Sequence, residues 1–192
     1  MVTVVGFAAV VVLMNPVKQV PLTVTLAYPA DVAQQTFDLY QRVSQWPAGK
    51  RIFSVLFAFK APYFATVMPQ VREVRENYAE LTIRNRWRVH NHIGTLHAIA
   101  ACNGLEAAMG LLAEATCPAE LRWLPRGLNV SYLQKATTDL TCIAETDPEQ
   151  WASTPGDVEV RVKAVRTDGV VAVEGIIPVY VSAKKKRTAS VG

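Results

Sequence analysis

The spacing of apolar positions changes twice along this chain, from helical at the start, through a long helix in the middle, to strand-like at the end. Residues 31–45 place Val32, Phe37, Tyr40 and Val43 in a rough stripe behind Asp31, which predicts a capped amphipathic helix. Trp46-Pro47-Ala48-Gly49 breaks that stripe. Residues 50–60 read as a short, strongly apolar helix, and Ala61-Pro62-Tyr63-Phe64 as a turn or an extended entry. Val71, Val74, Tyr78, Leu81, Ile83 and Trp87 then alternate loosely over 70–88, which predicts one or two strands. An Ala- and Leu-rich run from about 96 to 115 predicts one long helix, with Thr95 or Asn91 as its cap. Strands follow at 121–135, 137–146, 157–167 and 170–181. Asp168-Gly169 is a hairpin turn between the last two, and Pro178 marks an edge or a bulge. A single dominant helix followed by a four-strand antiparallel run gives an α+β fold in which a sheet wraps a helix.

The first 14 residues are almost wholly apolar but carry no basic n-region and no small-residue cleavage site, so a signal peptide is not predicted. They are also shorter than the roughly 20 residues that span a bilayer. An extra strand or a leader is preferred to a membrane-touching anchor for this segment. Half of the chain is hydrophobic, enough for one sizeable core in 192 residues. Three cysteines (Cys102, Cys117, Cys142) do not make a disulfide framework and fit a reducing, cytoplasmic setting. The net charge of +4 suits an anionic small molecule. No zinc-finger, RNP or Gly-rich phosphate-loop pattern is present, so nucleic acid is not an expected partner. The run Lys184-Lys185-Lys186-Arg187 is read as a solvated tail.

Candidate chemistry concentrates at the start of the long helix. All three histidines, His90, His92 and His97, fall in one eight-residue window. A helix start offers unpaired backbone N–H groups and a positive dipole end, which can polarise a carbonyl oxygen. Glu106 follows inside an otherwise apolar run, Leu105 to Leu112. A carboxylate there is costly unless paired or used, and burial raises its pKa toward that of a working base. The bland alternative is a polar-stripe Glu paired with an arginine. His97 and Glu106 lie nine positions apart, so at about 100° per residue they point to opposite sides of the helix. Within one subunit they do not meet, whereas across a two-fold axis they can. Gly104 and Gly110 suit close backbone approach. No Cys or second carboxylate completes a metal set around the histidines, and no Gly-x-Ser-x-Gly elbow exists, so neither a metal nor a serine triad is expected.

The pattern Asn91-x-x-Gly94-Thr95-Leu96-His97, with Glu106 nine beyond the histidine, resembles the signature of hot-dog-fold acyl-CoA thioesterases of the phenylacetate-pathway (PaaI-like) type. Residues 128–136 with Asp139-Leu140 are similar to that family's second strand pair. Ala61-Pro62-Tyr63-Phe64 with residues 89–94 resembles a bacterial hot-dog branch without an assigned substrate. The resemblance covers about residues 60–183. It implies an antiparallel sheet around one central helix, a homodimer or a dimer of dimers (a homotetramer), and hydrolysis of an acyl-CoA or acyl-carrier-protein thioester without metal or cofactor. In the matching positions Glu106 would be base or nucleophile, the Ala98 N–H the oxyanion donor, and Asn91 and His97 orienting groups beside Gly94 and Thr95. Arg122, Arg126 and Lys135 are the candidates for the CoA phosphates. Ala98-Ile99 stands where the family usually has Gly-Gly, which narrows the approach. A non-catalytic acyl-thioester-binding or regulatory protein is therefore the alternative reading, and a hydratase ranks last because its His-Phe-Pro-type motif is absent. On this basis residues 1–60 form an N-terminal extension that caps the acyl tunnel or extends the dimer, 61–183 the hot-dog domain, and 184–192 a basic tail. The apolar helix at 50–60 points to a fatty or aromatic acyl group.

Overall fold

A computed structural model of the chain describes residues 32–152 and 155–184. The expectations for the apolar leader, for the Asp31 cap and for the tail beyond 184 lie outside these residues. Two helices come first, α1 (Val32–Val43) and α2 (Gly49–Lys60), followed by a 3-10 turn at Pro62–Thr66. The hairpin β1 (Gln70–Arg75) and β2 (Tyr78–Ile83) leads through a loop to the long helix α3 (Ala98–Thr116). Then come β3 (Leu121–Pro125), β4 (Asn129–Tyr132), β5 (Leu140–Glu145), the short α4 (Pro148–Ala152), β6 (Gly156–Arg166) and β7 (Val171–Ala183). All seven strands form one antiparallel sheet in the order β1-β2-β5-β6-β7, with β3 and β4 both paired to the far side of β7. This is the helix-wrapped α+β architecture expected from the sequence.

The core lies between the sheet's inner face and α3. Leu105, Met109, Leu111 and Leu112 of α3 are fully buried, as are Leu81, Ile83, Leu140, Val158, Val160, Ile177 and Val179 from the strands. Each such side chain contributes roughly 1.5–3 kcal/mol by leaving water. That burial explains why α3, although long and apolar enough to cross a membrane by length and composition, is stable here as the core helix. Gly104 lets α3 approach the sheet: a Cβ there would lie 2.2 Å from Ile83 Cδ1 and 2.8 Å from Cys142 Sγ. Gly110 has no such role, since its Cβ would stand at an ordinary 3.7 Å from Trp123.

Two expectations change in the sheet. The single strand read over 121–135 is two strands, interrupted at residues 126–128. Pro178 accounts for the interruption. It sits inside β7, opposite Glu159 of β6, rather than on an edge strand. Its carbonyl accepts the Arg126 N–H at 2.8 Å, so the N–H that proline lacks would face the same side, where the neighbouring strand is broken. Pairing stops at Pro125 with Val179 and resumes at Asn129 with Ile176.

Candidate functional site

The loop before α3 is organised by Asn91. Its Oδ1 accepts the N–H groups of Ile93 and Thr95, both at 3.1 Å, and its Nδ2 donates to Thr95 Oγ1 at 2.8 Å. The backbone closes the same turn through Asn91 N–H to Thr95 O, and Gly94 takes the left-handed φ of 77° that the turn requires. With Asn91 and Thr95 committed to each other, neither caps the helix. The cap is His97, whose Nδ1 accepts the Ile99 N–H at 3.0 Å. The neutral ring therefore carries its proton on Nε2. Among the first three N–H groups of α3, that of Ile99 is taken, and those of Ala98 and Ala100 have no partner among the described residues.

The three histidines do not converge. His90 pairs with Asn85 Oδ1 at 2.7 Å, His92 is exposed, and His97 lies against the helix start. The segment that carries them folds as a 3-10 turn and loop with a single bridge from His90 to Leu96.

Glu106 is half-buried on α3 and makes no hydrogen bond or ion pair among the described residues, so the arginine-paired alternative is not what the structure shows. Loss of solvent pushes its pKa above the usual carboxylate value, and no neighbouring charge opposes the shift. At about 100° per residue, Ile99 and Asn103 fall on the same face of α3 as Glu106. Asn103 escaped the sequence reading, although an Asn three positions before the acid in an Ala- and Leu-rich helix was a legible signal. It is 4% exposed, donates to Thr66 Oγ1 at 3.1 Å, and leaves its buried Oδ1 without a hydrogen bond. Tyr132 was also missed as a site residue. At the end of β4 its hydroxyl stands 3.3 Å from Cys102 Sγ, one turn of α3 before Glu106.

The expected phosphate contacts are scattered. Arg122, exposed on β3, donates to Ser182, while the exposed Arg126, just past the end of β3, bonds Asp157 at 3.1 Å and stacks over Tyr180. Lys135 is exposed beside Ala136, whose carbonyl accepts the Leu96 N–H near the start of α3. Of the three, Lys135 alone is next to residues that hold the helix start. On its free side β4 has no strand partner among the described residues.

A second acid occupies the far half of α3. Glu114 is packed where α1 and α2 cover the helix, in a small cavity with Phe57, Ala61, Gly110 and Trp123. Burial raises its pKa to about 7, although Lys60, Lys184 and a hydrogen bond with Thr36 all favour its charged form. Its Oε2 is buried without a hydrogen bond.

Comparison with known proteins agrees with this architecture. The crystal structure of the structural-genomics target APC5556 is 41% identical, with a TM-score of 0.68 over 80% of this chain and 99% of its own. A protein of unknown function from Pseudomonas aeruginosa, PA5026, described as a probable thioesterase, is 18% identical, with a TM-score of 0.60 over 67% of this chain and 92% of its own. A thioesterase family protein from Silicibacter pomeroyi is 19% identical, with a TM-score of 0.56 over 68% and 96% of the two chains. These last two likenesses establish the hot-dog fold. No curated protein matches the sequence. The family model described as a domain of unknown function, DUF4442, matches residues 49–181, and the chain belongs to that family.

Proposed function

We propose that the protein hydrolyses an acyl thioester, carried by CoA or by an acyl carrier protein, to the free acid and thiol. The observation that carries this reading is Glu106: a half-buried, unpartnered carboxylate with a raised pKa, on a helix whose first turn presents the unpaired Ala98 N–H. Such a carboxylate is an effective base near neutrality, because little of its basicity is spent on neighbours. Glu106 takes a proton from water, the resulting hydroxide attacks the thioester carbonyl carbon, and the oxyanion forms against the Ala98 N–H. The C–S bond then breaks and the proton is passed to the departing thiolate. Direct attack by the carboxylate, with water releasing the acyl group from an anhydride, is the variant of the same site. His97, protonated on Nε2, donates toward the thioester or the water, while Asn91, Gly94 and Thr95 hold the loop that aims it. Asn103, beneath the 3-10 turn, supplies one unpaired oxygen to the same face.

His97 caps the helix start and Glu106 lies nine positions on, at about 180° in helical phase. The acid and the oxyanion donor of one reaction therefore come from two subunits of a homodimer or a dimer of dimers. The unpaired side of β4 and the exposed Tyr132 and Leu133 fit such a contact. The names of the Pseudomonas and Silicibacter neighbours support the thioesterase reading.

A second reading keeps the pocket and drops the chemistry. It is favoured by Ile99, 55% exposed at the helix start where its bulk narrows the approach to the Ala98 N–H. Release of free thiol from a panel of acyl-CoA thioesters decides between them. Hydrolysis by the parent protein and its loss in Glu106→Gln is the expected result. Hydrolysis that Glu106→Gln leaves intact removes the assigned base, and binding without hydrolysis selects the second reading.

A further inference from the structure

An open groove of about 410 Å³ lies where α2 begins, against the β1 edge of the sheet, well apart from the three phosphate candidates named from sequence. Trp46, Lys50, Arg51, Ser54, Arg72 and Arg84 line it, and among the described residues no carboxylate does. Its walls are built. A Cβ on Gly49 would fall 1.7 Å from Val43 O, so only glycine lets α2 start this close to the end of α1. Ser54 ties α2 to β1 by donating to Lys50 O at 2.7 Å and accepting the Val71 N–H at 2.8 Å. Two of the four cations are anchored: Lys50 Nζ donates to Arg72 O at 2.5 Å, and Arg72 Nε to Thr82 Oγ1 at 3.0 Å. The guanidinium groups of Arg51 and Arg84 make no hydrogen bond or ion pair among the described residues. By contrast, Arg75 pairs with Glu73, Arg126 with Asp157 and Arg161 with Asp147.

Four like charges around one concavity repel one another, and a phosphate of charge about −2 reverses that cost. The two free guanidinium forks suit bidentate contacts to phosphate oxygens. The positive end of α2 adds to the same field. At the rim Trp46 is 61% exposed and offers an aromatic face on which a base can stack. We propose that this groove binds a nucleoside phosphate, with the phosphate on Arg51 and Arg84 and the base on Trp46. The groove is tied to the acid-bearing helix through its own strand: Arg84 follows Ile83, whose side chain packs at Gly104, two residues from Glu106. Resting on the thioesterase reading, the proposal names the nucleotide end of CoA as the ligand and CoA, rather than a carrier protein, as the thiol carrier.

Calorimetric titration of the full chain with 3′,5′-ADP tests the site without requiring hydrolysis. The expected result is saturable binding that weakens at least tenfold in an Arg51→Ala/Arg84→Ala double variant and is unchanged in Arg161→Ala, a control for loss of charge elsewhere. Trp46→Ala is expected to weaken 3′,5′-ADP and to leave inorganic pyrophosphate unaffected. No binding to the parent protein, or equal binding by the double variant, overturns the proposal. Phosphatidylglycerol vesicles form the opposing arm. Ile52, Leu56 and Phe59 are exposed on α2 beside the groove, so vesicle binding in place of nucleotide binding assigns the phosphate to a lipid headgroup and overturns the nucleotide. If hydrolysis fails in every assay while 3′,5′-ADP binds, the groove stands and the thioesterase reading falls. If Glu106-dependent hydrolysis is found and the nucleotide does not bind, the reverse holds.

Discussion

Two carboxylates on one helix, Glu106 and Glu114, are both shifted upward by burial, yet their surroundings differ completely. Glu114 has Lys60 and Lys184 nearby and Thr36 in hydrogen-bond contact, and α1 and α2 close over it. Glu106 has no charge or hydrogen-bond partner among the described residues and is only half-buried. A raised pKa alone thus does not separate a structural acid from a chemical one. The partner list separates them: one acid is surrounded by groups that favour its charged form, and the other has no such group among the described residues.

The largest expected effect divides the two directly. Glu106→Gln removes the proton acceptor while keeping the shape of the side chain. Loss of a positioned general base costs about 10²–10⁴ in rate. The thermal midpoint of this variant is expected to hold or rise, because an uncompensated, partly desolvated carboxylate is no longer present. A fall in activity accompanied by an equal fall in stability would make Glu106 a structural residue like Glu114.

Glu114 gives the second test, through pH. Its folded pKa of about 7 lies above that of an unfolded glutamate, so between these values the folded chain holds more protons than the unfolded one. This group's contribution is therefore fully present below the unfolded value and is lost as pH rises through about 7. At one pKa unit per about 1.4 kcal/mol the loss is at most roughly 3–4 kcal/mol. Lys60 has its own pKa lowered by burial, which acts in the alkaline range and not in this window. Denaturant titrations from pH 5 to 8 should show the parent protein losing stability and Glu114→Gln losing distinctly less. Equal slopes in the two proteins would place the buried acid's titration elsewhere.

The contrast between the two halves of α3 also shows what a single sequence conveys. Long apolar runs made the helix and the strands legible, because α3 and the inner sheet face are buried on the scale of whole elements. The start of the helix was legible as a place, since an Asn, a Gly and a His fall together just before it. Its hydrogen bonds were not, because Asn91, Thr95 and His97 are all competent caps and only the closure of the 91–95 turn decides which one acts. The broken strand at 126–128 depends on Pro178, some 50 residues away, and periodicity has no access to such a pairing. The basic groove is assembled from α2, β1 and the end of β2, so its four cations are dispersed over residues 50–84.

Glycines extend the comparison along the helix. Gly104→Ala drives a methyl into Ile83 and Cys142, both fully buried, so neither yields freely. Overpacking of this kind costs about 1–3 kcal/mol, which equilibrium unfolding would read as a lower midpoint. An unchanged midpoint would mean that α3 can lift from the sheet at this point.

Gly110→Ala should go the other way, and by less. The new methyl meets Trp123 at 3.7 Å, a normal contact, in the small cavity that Glu114 shares. Exchanging glycine for alanine inside a helix contributes up to about 1 kcal/mol, so the variant is expected to be slightly more stable. The methyl also displaces space that solvent could use beside the acid. Removing solvent from a carboxylate favours its neutral form, so the pH at which Glu114 titrates should move upward, with the same sign of slope as in the parent protein. Stabilisation without that movement would show that the cavity is already dry and that Glu114 is set by Lys60, Lys184 and Thr36 alone. Destabilisation would show that the added methyl is not accommodated beside Trp123.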